Sequence, residues 1–409
     1  MADSHECRSC AGQRLEVFLS LGDLPLADAL LHAQGLERPE PRYPLDVAFC
    51  PDCSLVQILE EVPPQRLFVD NYLYFSSYSD ELLRHARSHA ERLVAECSLG
   101  PESLVVEVGS NDGYLLRHVA AQGVPVLGID PAPDQADAAE AAGVPTVREF
   151  FGEALASRLA SNGRRADVVV ANNVMAHTPD LNDFVAGLAA LLGEDGVATI
   201  ENPSVEELIE RCEFDTIYHE HFSYFSSTAV APLMARHGLA LNRVEAFPDL
   251  HGGTRRWWVS PVAAVEESAR EALAHEAEAG LGRADYYRRF GRRVEPLLDE
   301  LSALLERLHD GGARIAAYGA AAKGATLLNS IADAARLIEF VVDRNPHKQG
   351  RFMPGTHQPI RAPEALLEER PDYVLLLAWN FEREILAQQQ PYRDAGGCFI
   401  VPIPEPRVV

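Results

Sequence analysis

Residues 218–225 bring together side chains that could move a proton, in the order Tyr-His-Glu-His-Phe-Ser-Tyr-Phe. A neutral imidazole, with a reference pKa of about 6.5, can remove a moderately acidic proton from carbon if a neighbour stabilises the enolate. Tyrosine hydroxyl groups are suitable enolate donors. A metalloprotease helix would need a second His four residues after His219, where the chain has Ser223. We therefore interpret the motif as a general-base site, with an aromatic core cluster as the alternative.

Two cysteine pairs near the N-terminus have the spacing of a metal site. Cys7 and Cys10 form one pair, and Cys50 and Cys53 form the other. Four thiolates complete the tetrahedral shell of Zn²⁺ and leave no position for water, so we expect a structural zinc. The 39 residues between the pairs exceed the usual ribbon spacing. Four plain buried thiols are therefore the alternative.

Composition and charge exclude several classes of partner. The chain has 409 residues, 36 basic against 61 acidic, and a formal charge of −25. This charge repels phosphate backbones and anionic lipids, so we expect neither a nucleic acid nor a membrane as partner. The other cysteines, Cys97, Cys212 and Cys398, are too few and too scattered for a disulfide framework. The N-terminus has no basic or apolar leader, which predicts a cytoplasmic protein.

Four short apolar runs separated by helical stretches predict a doubly wound parallel sheet. They cover residues 104–108, 124–129, 167–171 and 197–200. Ligands of such sheets bind beyond the carboxyl ends of the strands, so we expect the polar residues there to meet at one ligand. These residues are Gly109, Ser110, Asn111, Asp112, Gly113, Asp130, Asn172 and Asn173. Asp130 is placed to accept hydrogen bonds from ribose hydroxyls.

The glycine turn of residues 109–113 differs from a dinucleotide fingerprint, because Ser-Asn-Asp fills the loop. Glu107 and Asp112 would repel a pyrophosphate but suit a cofactor with a cationic amino acid part. Glu107-x-Gly-x-x-x-Gly113, followed by Asp130, resembles the first two motifs of class I S-adenosylmethionine-dependent methyltransferases. Another Rossmann-like nucleotide binder is the alternative.

Further elements are expected on both sides of this sheet. A strand at 45–49 leads into the second cysteine pair, and a helix at about 81–95 follows the hydroxyl-rich segment 70–80. That segment either lines a polar pocket or covers a domain junction. One or two long helices are expected over 262–309. A second α/β unit is predicted from the apolar runs 314–318, 340–342, 373–377 and 399–401.

The order of motifs along nearly the whole chain resembles the deoxysugar C-methyltransferases of antibiotic biosynthesis. The motifs are the two cysteine pairs, Glu107–Gly113, Glu201–Pro203, Tyr218–Phe225, His251–Gly253 and Gly319–Gly324. Those enzymes methylate a carbon next to the ketone of a nucleotide-linked 4-keto sugar. The resemblance implies a zinc-binding domain (1–80), a central class I methyltransferase Rossmann-like domain (81–260) and a C-terminal Rossmann-like domain (261–409). It implies methylation at C-3 of a dTDP-linked sugar, with C-5 or oxygen as alternatives.

The resemblance also implies roles for individual residues. His221 corresponds to the base and Tyr218 and Tyr72 to donors for the enolate oxygen. Glu220 could orient an imidazole or, equally, form a structural hydrogen bond. The residues expected to contact the substrate are His177, Asn202, His251, Gly319 and Lys323. One departure is the bulky sequence of residues 254–258, Thr-Arg-Arg-Trp-Trp, which could alter the sugar that fits.

The glycine turn of residues 319–324 resembles a P-loop only superficially, because Lys323 precedes the second glycine. We expect it to hold phosphates through backbone amides, with simple helix-to-sheet packing as the alternative. Two other classes of function stay open. A nucleotide-sugar oxidoreductase or isomerase would bind nicotinamide at Gly319, and a scaffold would use the zinc module to recruit partners. The pattern leaves the oligomeric state open.

Overall fold

The computed structural model of the chain describes residues 5–68, 73–250 and 252–409. Tyr72 and His251, two of the predicted site residues, lie outside the described residues. The strands and helices of the described residues belong to three β-sheets and the layers around them. This arrangement confirms the predicted α/β class. None of the described helices combines the length and the apolar character that crossing a membrane requires.

The strands follow the apolar runs closely. In chain order they are β1 (Glu16–Pro25), β2 (Arg42–Phe49), β3 (Val56–Ile58), β4 (Val105–Val108), β5 (Val126–Ile129), β6 (Thr146–Val147), β7 (Ala166–Asn172), β8 (Leu192–Pro203), β9 (Ser223–Tyr224), β10 (Ala240–Phe247), β11 (Thr254–Ser260), β12 (Ile315–Tyr318), β13 (Val341–Val342), β14 (Ile360–Arg361), β15 (Tyr373–Leu376), β16 (Cys398–Val401) and β17 (Arg407–Val408).

The α-helices vary from one turn to 27 residues. They are α1 (Pro64–Phe68), α2 (Asp80–Glu96), α3 (Leu116–Ala120), α4 (Pro133–Ala141), α5 (Glu153–Ser161), α6 (Leu181–Leu191), α7 (Val205–Glu210), α8 (Ser227–Arg236), α9 (Glu267–Ala279), α10 (Ala284–Asp310), α11 (Ala322–Ser330), α12 (Ala334–Leu337), α13 (Ala365–Glu369), α14 (Glu382–Gln388) and α15 (Gln390–Asp394).

The N-terminal sheet has the order β1-β2-β3-β9. Its fourth strand comes from the middle of the chain, because Tyr224 pairs with Val56 and Ser223 with Gln57. The amide of Ile58 extends this pairing by donating to the carbonyl of Phe222 at 3.1 Å. The Tyr-His-Glu-His motif therefore leads directly into the N-terminal sheet.

The central sheet has the order β10-β11-β8-β7-β4-β5-β6. The strands β8, β7, β4, β5 and β6 are parallel, and β11 and β10 add an antiparallel edge. The four strands predicted from apolar runs are its centre. They are apolar along most of their length because helices cover both faces of the sheet, which is the pattern of a doubly wound fold.

The C-terminal sheet has the order β14-β13-β12-β15-β16-β17, parallel except for β17. The long helices α9 and α10 precede it, as the sequence predicts. The apolar stripe of α10 packs on the N-terminal sheet, where the ring of Tyr287 stacks on Phe49 at a centroid distance of 4.6 Å. Helix α10 thus joins the first and last parts of the chain around a shared core.

Candidate active site

One cavity of about 660 Å³ is lined by side chains from the N-terminal, central and C-terminal parts of the chain. A ligand pocket of this size is in the range that holds a cofactor with a substrate fragment. The carboxyl ends of the parallel strands of both Rossmann-like sheets open into it. Of the predicted site residues, those that line the cavity are Gly109, Asn111, Asp130, Asn172, Asn173, His177, Asn202, Tyr218, Glu220, His221, Gly319 and Lys323.

The imidazole of His221 is held from both of its nitrogens. Nδ1 lies 3.1 Å from the carbonyl oxygen of Thr216, which can only accept, so Nδ1 carries the proton. Nε2 therefore has the lone pair, and it accepts a 3.0 Å hydrogen bond from the hydroxyl of Tyr218. The two rings lie 4.1 Å apart at their centroids. A tyrosine paired with the basic nitrogen of a histidine can exchange protons with a ligand in the cavity.

Burial keeps this histidine neutral. It lowers the pKa of His221 well below the usual 6.5, and the neighbouring His177 and Lys323 lower it further. Burial also lowers the pKa of His177 to about 4, although a hydrogen bond to the carbonyl of Glu220 opposes the shift. Both imidazoles are therefore neutral at neutral pH, with a proton on one ring nitrogen each. A neutral imidazole is the form that can accept a further proton.

The N-terminal sheet fixes the motif around His221. His219 lies against the carbonyl oxygens of Tyr43 and Pro44, at 3.2 and 3.1 Å from its Nε2. The residues after the motif become strand β9 of that sheet. His219 thus serves as an anchor, and His221 is the histidine that reaches the cavity.

The turn after β4 forms the wall of the cavity nearest the central sheet. Gly109 has φ +68°, a conformation that glycine adopts readily. One Asp130 carboxylate oxygen accepts the amide of Asn111 at 2.9 Å, and the other accepts the amide of Ala132 at 2.9 Å. Since a carboxylate has about four lone-pair sites, Asp130 keeps two for a ligand.

The turn after β12 repeats this arrangement in the C-terminal sheet. Asp343 follows β13, and its carboxylate accepts the amides of Ala320 at 2.7 Å and Asn345 at 2.8 Å. Gly319 has φ +103°. Lys323, in the first turn of α11, donates to Asn380 Oδ1 at 3.1 Å. Both turns therefore face the cavity with an aspartate that ties the turn to the next strand.

Three protein families match successive parts of the chain. Residues 7–68 match the family described as "Putative zinc binding domain". Residues 82–244 match "Methyltransferase domain", and residues 249–404 match "C-methyltransferase C-terminal domain".

Among curated proteins, C-methyltransferase NovU of Streptomyces niveus is 36% identical over 407 residues, which cover 99% of this chain and 96% of that protein. The chain belongs to the C-methyltransferase family. A ubiquinone biosynthesis O-methyltransferase of Methylobacterium sp. (strain 4-46) is 34% identical over 123 residues, covering 28% of this chain and 48% of that protein. Among solved structures, magnesium protoporphyrin IX methyltransferase from Synechocystis PCC 6803 with bound SAM is similar at 16% identity and a TM-score of 0.35, covering 48% and 88% of the two chains.

This C-methyltransferase is an S-adenosylmethionine-dependent enzyme, and its central turn fits that cofactor. The free lone pairs of Asp130 suit ribose hydroxyls, as the sequence predicts. Asn111 and Gly109 bring backbone to the cavity, while Asn172 and Asn173 line it beside them. We therefore expect the cofactor to bind at the carboxyl edge of β4, β5 and β7, and its individual contacts stay a prediction.

The four N-terminal cysteines form the predicted zinc site. Their Sγ atoms all lie within 4.8 Å of one another. The pair Cys7 and Cys53 is separated by 3.4 Å, and the pair Cys10 and Cys50 by 3.6 Å. Tetrahedral Zn²⁺ with Zn–S bonds near 2.3 Å places sulfurs about 3.8 Å apart, so the donor set fits zinc. This part of the C-methyltransferase holds a structural metal, because four thiolates leave no position open for a substrate.

Four residues predicted to contact the cofactor lie in or under the turn without lining the cavity: Glu107, Ser110, Asp112 and Gly113. Glu107 is buried beneath the turn, where burial and the charge of Asp112 raise its pKa well above the usual value. The Asp112 carboxylate accepts hydrogen bonds from the amide and hydroxyl of Ser77. These acidic side chains shape the turn from inside, so the geometry gives no support to their direct contact with the cofactor.

Glu220 does not orient an imidazole through its carboxylate, in contrast to the expectation. Its Oε1 accepts the amide of Asp28 at 3.3 Å. Burial raises the pKa of Glu220 to about 8, and the nearby Asp28 carboxylate adds to the shift. Backbone carbonyls orient the imidazoles instead: Thr216 holds His221, and the main chain of Glu220 accepts from His177 Nδ1 at 2.7 Å.

The bulky residues 254–258 also do not reach the cavity, so the expectation that they alter the choice of sugar is wrong. They form β11, which pairs with β8. Trp257 is buried in the core, and the buried Arg256 guanidinium binds the Glu201 carboxylate at 2.5 Å. Burial alone would raise the pKa of Glu201, but Arg256 and His85 hold it at about 2. These residues secure the sheet edge.

Sequence reasoning missed several cavity residues. The hydroxyl-rich segment does line the cavity, through Tyr74, Phe75, Ser76, Tyr78 and Ser79. Its attachment to the cofactor turn runs through the Ser76 amide, which donates to the Asn111 side chain at 2.9 Å. Asp343 was also overlooked. Its position directly after an apolar run, which Asp130 shares, was the signal that could have found it.

The zinc site yields a first prediction. Replacement Cys50→Ser should reduce bound zinc well below one ion per chain and lower the thermal midpoint by roughly 5 °C or more, because metal binding and folding are coupled. Elemental analysis and calorimetry measure both. The control Cys97→Ser alters a half-buried thiol outside the cluster. Equal zinc content in the two variants would contradict the assignment.

The cofactor wall yields a second prediction. Replacement Asp130→Ala should weaken S-adenosylhomocysteine binding about 10-fold or more, equivalent to about 1.4 kcal/mol of lost ribose and turn contacts. Isothermal titration measures the dissociation constant. Asp134→Ala is the matched control, since Asp134 is exposed in the first turn of α4. If both variants bind with the parent affinity, Asp130 has no cofactor role.

Proposed function

We propose that this C-methyltransferase transfers a methyl group to C-3 of a dTDP-linked 4-keto deoxysugar, through an enolate formed by His221. The observation that carries the proposal is the pair of His221 and Tyr218 in the cavity. There an unprotonated Nε2 lies 3.0 Å from a hydroxyl donor. A base next to a donor is what ionisation of carbon beside a ketone requires.

The pair can serve both halves of the ionisation. When a ketone enters, the Tyr218 hydroxyl turns from Nε2 to the ketone oxygen, which frees the Nε2 lone pair. His221 then takes the proton from the adjacent carbon, and the electron pair of the broken C–H bond moves to the oxygen as an enolate. The new Nε2–H donates to the Tyr218 oxygen, which strengthens the hydrogen bond from Tyr218 to the enolate.

Gly109, Asn111 and Asp130 would hold S-adenosylmethionine, which would supply the sulfonium methyl group for the enolate carbon. The role of this chain is to orient and to exclude water. The turn after β4 and the turn after β12 both line the cavity, so donor and acceptor can be held in the same space. The proposed proton removal relies on two side chains of the cavity, the His221 imidazole and the Tyr218 hydroxyl.

The nucleotide end of the substrate suits the C-terminal side of the cavity. Gly319 opens a turn before α11, and Lys323 brings a cation to the wall. Burial lowers the pKa of Lys323, while the carboxylates of Asp215 and Glu213 oppose that shift. Backbone amides and one lysine are suitable partners for a diphosphate. His177 and Asn202 lie nearer the base and suit the sugar ring. The C-methyltransferase name of the full-length relative agrees with methylation at carbon.

The direct test is product analysis. The protein is incubated with S-adenosylmethionine and a dTDP-4-keto-6-deoxysugar, and the product is identified by mass and by NMR of the methylated carbon. Methylation at C-3 supports the proposal, and methylation at C-5 or oxygen corrects its regiochemistry. Parallel titrations with NAD and with S-adenosylhomocysteine test whether the protein is an oxidoreductase instead. If the protein binds NAD and does not bind S-adenosylhomocysteine, the proposal is overturned.

Replacement His221→Asn should lower the turnover rate about 100-fold or more, since general-base catalysis contributes about that much. Hydrogen exchange at C-3 in D₂O, measured with S-adenosylhomocysteine bound, should be lost in parallel because it reports proton removal alone. Affinity for S-adenosylhomocysteine should stay within about 2-fold, because the residue acts on the substrate. Exchange at the parent rate in this variant would assign the base elsewhere.

The pH dependence follows from the direction of the shift. Neutral His221 is the active form, and burial depresses its pKa well below 6.5, so protonation silences it only at lower pH. We expect the C-3 exchange rate to be maintained down to pH 6.5 and to fall only below it. NMR of samples quenched at set times gives the exchange rate between pH 5 and pH 8, roughly the range in which an unshifted histidine titrates. An acid limb centred at or above about 6.5 would contradict a buried base.

A further inference from the structure

The carbonyl that fixes the proton on His221 belongs to a short segment that the C-terminal domain holds on both sides. Thr216 ends the 3-10 helix Phe214–Thr216. Just before it, the Asp215 carboxylate accepts a 2.7 Å hydrogen bond from the indole N–H of Trp379. Just after it, the Ile217 carbonyl accepts from the hydroxyl of Thr326 at 3.2 Å.

Both donors come from the carboxyl edge of the C-terminal sheet. Trp379 follows β15 and Thr326 lies in α11. Both hydrogen bonds are shielded from solvent, because Asp215 is 0% exposed, Thr326 3% and Trp379 8%. A buried acceptor that loses its donor pays the full cost of desolvation, so the segment has a strong preference for this position.

The same tryptophan also touches the cavity wall. The ammonium of Lys323 lies over the indole ring, 4.5 Å from its centroid. Asn380, next to Trp379 in sequence, accepts from Lys323. Lys323 and Asn380 line the cavity. The residues that face the nucleotide end of the cavity are therefore in contact with the residue that holds Asp215.

We propose that Trp379 and Thr326 are positioning residues for the base. By holding Asp215 and Ile217, they keep the Thr216 carbonyl on Nδ1 of His221, which leaves Nε2 unprotonated toward Tyr218. The inference rests on the proposed role of His221 as the base. It means that the C-terminal domain both binds substrate and sets the tautomer of the histidine in the central domain.

The test uses the full-length protein saturated with S-adenosylhomocysteine and labelled with ¹⁵N-histidine. The ring nitrogen shifts report which nitrogen of His221 carries the proton, and its signals are identified by their absence in His221→Asn. Trp379→Phe keeps an aromatic ring under Lys323 but removes the N–H donor. Thr326→Val is a second, nearly isosteric variant in case the first does not fold.

Trp257→Phe is the matched control. It removes another buried indole N–H, which donates to Ser227 Oγ at 3.0 Å in the core away from the cavity. We expect Trp257→Phe to keep the parental tautomer of His221 and its turnover. Trp379→Phe should move proton from Nδ1 to Nε2 and lower kcat about 10-fold or more, with KM and S-adenosylhomocysteine affinity within about 2-fold.

A tautomer change in Trp379→Phe or Thr326→Val supports the positioning role. The parental tautomer in both variants overturns it, whatever happens to turnover. The NMR measurement requires no turnover, so it separates this inference from the proposed function. If no sugar nucleotide is methylated but the tautomer still responds to Trp379→Phe, the function is wrong and the positioning role stands.

Discussion

The pairing of β9 with β3 is the constraint on which the rest of the site depends. Ser223 and Tyr224, which follow His221 after one intervening residue, form the fourth strand of the N-terminal sheet. Backbone hydrogen bonds across strands set which residues lie opposite each other, and so fix where the neighbouring motif begins. The zinc cysteines stabilise the same sheet, because Cys50 and Cys53 form the turn between β2 and β3, where the Cys50 amide donates to the Leu55 carbonyl at 2.8 Å. The structural zinc thus stabilises β3, the strand that holds β9 and with it the segment of His221.

Burial has a second consequence in the cavity, which is control of charge. His221 and His177 both have lowered pKa values, while the pKa of Glu220 is raised to about 8. In each case the low-dielectric surroundings disfavour the charged form. In the proposed mechanism, a base in such a place is neutral and able to accept a proton, and an enolate formed beside it would be less screened by water. Hydrogen-bond donors such as Tyr218 therefore act more strongly there than they would in solution.

The two Rossmann-like sheets use one structural device twice. Asp130 and Asp343 each follow the second strand of their sheet, and each accepts one amide from the glycine turn and one from its own residue i+2. This bracing orders both turns before any ligand arrives, so less conformational entropy is lost on binding. Residues of both turns line one cavity. A small donor and a larger acceptor can therefore be ordered by similar local structures within the same enclosed volume.

Local sequence determined the features that depend on near neighbours. The apolar runs predicted the central strands and the paired cysteines predicted the zinc site, because each is set by spacing within a short segment. The cofactor contacts of the glycine turn and Asp130 stay a prediction. The motif order also indicated the C-methyltransferase family. Roles of individual catalytic residues and the domain boundaries stay predictions.

Only the tertiary structure decided which groups meet across long sequence distances. It showed that His219 anchors the motif to the N-terminal sheet. It showed that the Thr216 carbonyl, and not the Glu220 carboxylate, orients His221. It also brought Trp379 to Asp215, which lies 164 residues earlier in the chain. It also moved the bulky residues of β11 from the substrate side to the sheet edge. Such contacts follow from the packing of three sheets around one cavity, and no local pattern encodes them, because the interacting residues share no spacing, period or turn in the chain.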